Sequence, residues 1–285
     1  MHREETVKIG FGSICIGIHC QDQELMERML LKYGAFLVSH EPDFWIRLNL
    51  RNRLTVPEIK SLFTIWRSFL DGNRFFTKPE LLECRLDWAE ATLWVDTERE
   101  LFAPEVEYPL MNPLMRGIYA GIHARLRNAK PDAYLVHGCG IVDGRKCYLF
   151  TGPSGSGKTT LARLAGGRNV LNDEAVLIGR DREGFHLGAT PFDGGITDRW
   201  NISGHLSAVF FLKHDTRVSV RKLSKVETYQ RFLAQVFDTS PLFEAPGSDD
   251  LQERADVSAE VATWVPSYEL GFRPDTSFWP VVGNI

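Results

Sequence analysis

The chain has few residues that could cross-link it through disulfides or metal ions. Five cysteines occur in 285 residues, an odd number, and no two of them form a Cys-x-x-Cys pair. Disulfide frameworks use an even number of cysteines, and structural zinc sites and redox pairs usually need that close spacing. We therefore expect reduced, mostly buried thiols and no metal site built from cysteine.

Long basic runs and long apolar runs are also absent. The net charge is −4, and without a basic cluster this argues against binding to nucleic acid or to an anionic membrane surface. No stretch approaches the roughly 20 apolar residues of a membrane-spanning helix. Residues 1–5 carry two acids, and no apolar core of a signal peptide follows. These absences predict a cytoplasmic protein without nucleic-acid or membrane partners.

The remaining composition, 44% hydrophobic and 25% charged, is that of a globular protein large enough for two modest domains. Strand-like runs over residues 8–19, 46–50 and 84–96, and helical periodicity from Pro57, predict a small α/β domain over residues 1–105. A second domain is predicted over residues 106–285, beginning with a helix near Pro113. The N-terminal domain contains no catalytic signature, so selection of the substrate is assigned to it by elimination.

The most informative segment is residues 152–159, which match the phosphate-binding pattern G-x-x-x-x-G-K-[ST]. An apolar strand-like run precedes the loop and a helical run follows it, as the motif requires. Glycines let successive backbone N–H groups surround an anion, Lys158 can reach the β- and γ-phosphates, and the Thr159 hydroxyl can ligate Mg²⁺. The sequence therefore predicts ATP and Mg²⁺ as cofactors. The predicted binding residues are Gly152, Pro153, Ser154, Gly155, Ser156, Gly157, Lys158, Thr159 and Thr160.

The strand before the loop is predicted to be half of a hairpin. Residues 134–142 form one strand-like run, and Asp143-Gly144, a strong signal for a two-residue turn, separates it from the run that enters the loop. This register pairs Val142 with Arg145 and places His137 opposite Phe150, beside the loop. A lone histidine is usually structural, but the register favours a functional role for His137.

A pair of acids follows soon after the loop. The short strand-like run 169–171 leads into Asn172-Asp173-Glu174, and one short helix should return this run directly beside the loop strand. Two adjacent carboxylates can divide the work of phosphoryl transfer, one near Mg²⁺ and one accepting the proton of an attacking hydroxyl. The alternative is an ordinary turn or helix cap, in which Asn and Asp are also common.

These motifs together resemble the catalytic domain of HPr kinase/phosphorylase, a bacterial family that phosphorylates a serine of a small carrier protein. The resemblance rests on His137-Gly138, the loop and Asp173-Glu174, and covers about residues 130–190. It implies an α/β fold with a mixed sheet, the P-loop kinase core that is also similar to ATP-dependent phosphoenolpyruvate carboxykinase. It further implies that Asp173 is the base, that Thr159 and Glu174 serve Mg²⁺, and that His137 lies near the transferred phosphate.

The chain also differs from this family. The family usually has two aspartates where this chain has Asp173-Glu174, and its Glu-Ile-Arg-Gly segment is absent here. With its ending over residues 267–275 and 278–280, the chain is more similar to the HPr-kinase-like proteins that accompany peptide-modification genes. The resemblance implies an ATP-dependent serine kinase acting on a protein or peptide, and a homo-oligomer is compatible with it.

Three alternatives stay open at this point. A small-molecule kinase could use the same core, and an ATP-binding scaffold could lack catalysis. A nucleotide-dependent switch or assembly ATPase is the third, although the chain lacks the Asn-Lys-x-Asp of GTPases and the Leu-Ser-Gly-Gly of transporter ATPases.

Overall fold

The computed structural model describes residues 5–58, 82–103, 111–123, 132–192, 194–237 and 248–285. The helix predicted from Pro57 falls mostly on residues beyond 58 and so lies outside the described part. The described chain divides into two compact units, one between residues 5 and 123 and the other between residues 132 and 285. In the described ranges, no helix is both long and apolar enough to cross a membrane.

The first unit is a mixed sheet with helices. Its elements are β1 (Glu5–Phe11), β2 (Ile14–Cys20), α1 (Gln23–Lys32), β3 (Phe44–Arg51), β4 (Leu82–Asp87), β5 (Thr92–Glu98) and α2 (Met111–Gly121). The strands pair in the order β1-β2-β3-β5-β4, with the two inner pairings β2–β3 and β3–β5 parallel and the two outer ones antiparallel.

The division between the units differs from the sequence-based boundary near residue 105. Helix α2 groups with the first unit, where the Tyr119 ring stacks on Phe11 of β1 with ring centroids 5.7 Å apart. The apolar face of α2 is thus buried on the N-terminal sheet, a pairing that periodicity along the helix does not specify.

The second unit is built around a larger mixed sheet. Its elements are β6 (Ala133–Asp143), β7 (Lys146–Thr151), α3 (Lys158–Arg163), β8 (Asn169–Asn172), β9 (Ala175–Arg180), β10 (Phe185–Gly188), β11 (Ser203–His214), β12 (Ser219–Lys222), α4 (Lys225–Leu233), α5 (Ser248–Trp264), β13 (Ser267–Phe272) and α6 (Trp279–Gly283). The strands pair in the order β10-β9-β6-β7-β11-β13-β12, and β8 pairs with β6. The predicted mixed α/β architecture is thus present.

Strand β7, which enters the phosphate loop, is the centre of the core. It lies between antiparallel β6 and parallel β11, and being covered on both faces it is a continuous apolar run. The Phe150 ring stacks on Phe210 at 5.3 Å and meets Trp279 edge-on at 5.8 Å. Aromatic packing in these geometries contributes about 0.5–1.5 kcal/mol per pair beyond the area buried. The core therefore holds the start of the loop rigidly.

The predicted hairpin exists, with a shifted register. Asp143 pairs with Lys146, so Gly144 and Arg145 are the central turn residues, and the residue opposite Phe150 is Cys139. The prediction that His137 lies opposite Phe150 was therefore wrong by two residues. Gly144 has φ +61°, and glycine at the first turn position suits a turn of type II′, whereas the prediction had placed Asp143 there.

A second hairpin joins β9 to β10, with Phe185 opposite Arg180. Strand β10 also pairs with the first residues of β11, with His186 opposite His205. The connection between β10 and β11, described over residues 189–192 and 194–202, leaves the sheet at the end of the second unit where the phosphate loop lies.

Candidate functional site

The phosphate loop has the backbone that its glycines were expected to allow. Gly155 and Gly157 have φ values of +78° and +100°, and α3 begins directly after Gly157. A Cβ on Gly157 would lie 2.7 Å from the Phe272 ring, so a larger residue is excluded by packing as well as by backbone strain. The loop is also held from outside, because His214 Nε2 lies 2.7 Å from the Gly155 carbonyl oxygen.

Lys158 is buried below the loop, with 6% of the residue exposed. Its amino group donates to the carbonyl oxygens of Gly152 at 2.9 Å and Pro153 at 3.1 Å. Burial lowers the pKa of Lys158, and the nearby carboxylates of Glu174 and Asp173 oppose that shift. The loop and the two acids thus surround one cationic group.

His137 lies at the end of the β6–β7 ladder, one residue beyond the Gly138–Thr151 pair. Its ring Nδ1 is 3.0 Å from the Glu174 carbonyl oxygen and 3.7 Å from Glu174 Oε1. The first distance fits Nδ1–H donating to the carbonyl, which orients the ring. The Thr151 hydroxyl donates to the His137 carbonyl oxygen at 2.6 Å. The predicted histidine is therefore linked to the acidic pair and to the strand that enters the loop.

The acidic pair reaches the loop by a different route from the one expected. Strand β8 pairs with β6, with Asn172 opposite Gly140, so the prediction that it lies directly beside the loop strand was wrong. The reason is the hairpin: β6 already covers one edge of β7, and β11 covers the other. The acids occupy the bulge between β8 and β9, where the Gly138 amide donates to the Glu174 carbonyl oxygen at 3.2 Å.

The side chain of Asn172 holds this bulge in place. It is completely buried, and its Oδ1 accepts hydrogen bonds from the amides of Glu174 at 2.7 Å and Ala175 at 3.1 Å. Its Nδ2 donates to the carbonyl oxygens of Thr190 at 3.1 Å and Phe192 at 2.8 Å. Because four hydrogen bonds of Asn172 fix this bulge, Asp173 and Glu174 are held in one geometry.

The two acids have different surroundings. Asp173 is 2% exposed, and both of its carboxylate oxygens accept from the Gly195 amide at 3.0 Å. The Glu174 side chain is 44% exposed and lies beside His137. Because one carboxylate is covered and the other is open to solvent, the pair can divide two chemical tasks.

Gly195 connects Asp173 with the loop hydroxyl. A Cβ built on Gly195 would lie 3.1 Å from Asp173 Oδ2 and 3.2 Å from Thr159 Oγ1, and it would overlap Thr159 Cγ2. The Asp173 carboxylate and the Thr159 hydroxyl therefore both lie close to the Cα of Gly195. The sequence analysis assigned no role to Gly195, and the signal that could have found it is the Gly194-Gly195 pair.

The site contains oxygen atoms that could hold Mg²⁺ together with a nucleotide. In the described ranges, no three His, Cys, Asp or Glu side chains gather closely enough to hold a metal ion. Mg²⁺ in nucleotide sites commonly takes one or two protein oxygens, with phosphates and water completing its shell. Thr159, Asp173 and Glu174 can supply such oxygens. Within the described residues the buried Ser156 hydroxyl of the loop has no hydrogen-bond partner, so the loop keeps a polar group for a ligand.

Comparison with models of protein families finds no match, and comparison with curated proteins finds none either. Among solved structures, the HPr(Ser) kinase/phosphatase from Coxiella burnetii is similar over 53% of this chain and 93% of its own, at 10% sequence identity and a TM-score of 0.30. A likeness this distant supports no argument about function, and the function is therefore inferred from the residues of this chain.

Proposed function

We propose that the second unit binds Mg-ATP and transfers the γ-phosphate to a hydroxyl group, in the first place that of a serine or threonine in a protein or peptide. One observation carries the proposal: a complete phosphate loop with a buried lysine lies against a fixed acidic pair, and the Asp173 carboxylate and the Thr159 hydroxyl meet at the Gly195 backbone. Phosphoryl transfer needs these components and little covalent chemistry from the protein.

In the proposed mechanism the chain positions the reactants and balances their charge. The loop amides and Lys158 bind the phosphates, and the fixed orientation of the lysine means that little reorganisation is needed during transfer. Bound Mg²⁺ would neutralise charge on the phosphate oxygens. Asp173 accepts the proton of the acceptor hydroxyl while the new O–P bond forms and the bond to the β–γ bridging oxygen breaks. His137, beside the acids, stabilises the transferred group.

The proposal assigns the base to Asp173 and the metal to Glu174 with Thr159, and two matched variants test this assignment. Asp173→Asn and Glu174→Gln each remove one charge with little change in shape. Titration of a fluorescent ATP analogue at several Mg²⁺ concentrations should show a raised Mg²⁺ requirement for Glu174→Gln alone. Asp173→Asn should bind ATP normally and lose transfer, by about 10²-fold or more for a missing general base. Full transfer by Asp173→Asn would exclude Asp173 as the base.

The acceptor is identified by following the label from γ-labelled ATP in the presence of Mg²⁺, with and without lysate of the host. Label that appears on a discrete polypeptide supports the proposed peptide or protein kinase, and label on a metabolite supports the small-molecule kinase. Release as free phosphate alone supports a switch or assembly ATPase. Lys158→Ala should abolish each of these signals, because it removes the charge at the phosphates. Asn284→Ala, an exposed substitution at the C-terminal end of α6, is the control.

A further inference from the structure

The connection between β10 and β11 lies over the proposed base. We call its residues 189–192 and 194–202 the strap. Its two ends meet where the Ala189 amide donates to the Ile202 carbonyl oxygen at 3.1 Å. Its first part is buried and anchored, because the Thr190 hydroxyl donates to the Ala175 carbonyl oxygen at 2.6 Å and Asn172 binds the carbonyls of Thr190 and Phe192. This part of the strap therefore belongs to the rigid sheet.

In the second part of the strap, Ile196 packs against the hydrophobic core of the second unit, whereas Gly194 and Gly195 before it contact the site through polar groups. Gly194 and Gly195 lie at the surface, where the Gly195 amide donates to Asp173 and the Gly195 carbonyl accepts from Arg163 Nη2 at 3.3 Å. Both contacts have a charged partner, the Asp173 carboxylate or the Arg163 guanidinium, and such hydrogen bonds are stronger than neutral ones. For Gly194 and Gly195 to leave Asp173 the bonds to the carboxylate must break, whereas the buried residues 189–192 and the packing of Ile196 can stay in place.

The glycines allow this contact because they lack side chains. A Cβ on Gly194 would overlap Asp173 Oδ1 and lie 3.3 Å from the Glu174 Cβ. This close approach to the carboxylate excludes a side chain at Gly194.

Gly194 and Gly195 cover the carboxylate that the proposed reaction needs as its base. Asp173 is 2% exposed, and its oxygens already accept the Gly195 N–H. A hydroxyl on another molecule cannot deliver its proton to a carboxylate that it cannot reach, because a general base must lie within hydrogen-bond distance of the proton it removes. If Asp173 is the base, Gly194 and Gly195 must leave it before transfer.

We propose that Gly194 and Gly195 of the strap form a lid on the acceptor site: the Gly195 amide occupies Asp173 in place of the acceptor hydroxyl, and the acceptor displaces it. The inference rests on the proposed function in treating Asp173 as the base. The closed strap keeps water from Asp173 and thereby suppresses ATP hydrolysis. In that side reaction a water oxygen would bond to the γ-phosphorus, the bond to the bridging oxygen would break and Asp173 would take the proton. A hydroxyl-bearing chain long enough to displace the strap is the acceptor class that this arrangement selects.

The first test uses the protein without nucleotide. Hydrogen exchange of strap peptides is compared among the wild type, Gly194→Ala and the control Gly283→Ala, whose added Cβ would meet nothing within 4 Å. We expect a protected Gly195 amide in the wild type and the control, and exchange at least about ten times faster in Gly194→Ala, because the methyl group breaks the contact with Asp173. Unprotected Gly195 in the wild type, or equal protection in Gly194→Ala, would overturn the lid.

The second test measures phosphate release from Mg-ATP without acceptor. We expect Gly194→Ala to release phosphate about ten times faster than the wild type and Gly283→Ala, and the double variant Gly194→Ala/Asp173→Asn to lose that increase. An unchanged rate in Gly194→Ala, or an increase that persists without Asp173, would contradict the lid. Failure of the proposed function would look different: no variant would bind the ATP analogue, while the exchange experiment would still report whether the strap covers Asp173.

A milder variant covers the case in which Gly194→Ala does not fold. Arg163→Gln removes the guanidinium that holds the Gly195 carbonyl from an exposed position on α3, so the core is unaffected. Faster exchange of the Gly195 amide and faster phosphate release, each by about two- to threefold, support the lid. Wild-type values for both would overturn it.

Discussion

Replacing Asn172 tests whether one buried side chain holds the acidic pair and the strap together. Asn172→Asp keeps the oxygen that accepts from the amides of Glu174 and Ala175, and it replaces the amide that donates to the carbonyls of Thr190 and Phe192. Asn172→Ala removes all four hydrogen bonds and leaves a small cavity. Comparison of the two variants therefore separates the hydrogen bonds that Asn172 makes to the strap from those that it makes to the amides of Glu174 and Ala175.

The expected magnitudes follow from these contacts. A buried polar group that loses its partner costs about 1–3 kcal/mol. In Asn172→Asp the new carboxyl group is fully buried against two carbonyl oxygens and is therefore held protonated. Its O–H can donate to one of them, and the Phe192 carbonyl keeps Arg199 as a second donor. For the lost hydrogen bond and the cost of keeping the carboxyl group neutral, we expect a decrease of about 2 kcal/mol in the free energy of unfolding. In Asn172→Ala the two amides also lose their acceptor, and we expect a decrease of about 4 kcal/mol.

The assay is urea denaturation followed by hydrogen exchange of peptides from β6 and β7, which reports on the second unit separately from the first. Asn284→Ala, at an exposed position of the same unit, should stay within about 0.5 kcal/mol of the wild type. A decrease below about 1 kcal/mol for Asn172→Ala would refute the idea that the four contacts are energetically significant. Equal decreases for the two variants would refute the division between strap and acids.

Three further outcomes are expected. Burial lowers the pKa of Lys158, so the unfolded chain keeps the proton on this lysine to higher pH than the folded chain does. The free energy of unfolding of the wild type should therefore increase relative to that of Lys158→Met as the pH rises towards about 10.4. A difference between the two proteins that stays constant in urea denaturation from pH 7 to 10 would contradict this expectation. Burial raises the pKa of Cys84 and of Cys147 to about 12, so iodoacetamide at pH 8 should label both far more slowly in the native protein than in urea, and rapid native labelling of Cys147 would be inconsistent with the structure. Ser224→Ala should lower the free energy of unfolding by about 1 kcal/mol, because Ser224 and Glu227 form a capping box at the start of α4. Hydrogen exchange of the α4 amides at the wild-type rate would contradict this role of the capping box.

The local elements that the sequence predicted depend on neighbouring residues. The glycine-lysine-threonine spacing of the phosphate loop and the β6–β7 hairpin are each encoded within a few positions. Turn chemistry and capping operate over that range, so a local pattern is sufficient. The predicted register of the β6–β7 hairpin was wrong because Asp-Gly can occupy more than one position of a two-residue turn. When the turn moves by one residue, every residue of β6 faces a partner two positions farther along β7.

The contacts within the candidate site, in contrast, could not be predicted without the tertiary structure. Asp173 lies beside β6 and not beside the loop strand, because β6 and β11 already occupy both edges of β7. Asn172 reads as a turn residue in sequence, and only the packing of residues 189–192 over the sheet completes its four contacts. Gly195 meets Thr159 across 36 positions of sequence, and no local periodicity encodes such a contact.

The sequence by itself thus determined the chemistry that this chain can offer: a loop for phosphates, a lysine, a hydroxyl and two adjacent carboxylates. The tertiary structure alone decided which of these groups meet and which are covered. The physical reason is that backbone preferences act locally, whereas the approach of Gly194 and Gly195 to Asp173 depends on how sheet edges are filled and on where side chains leave room.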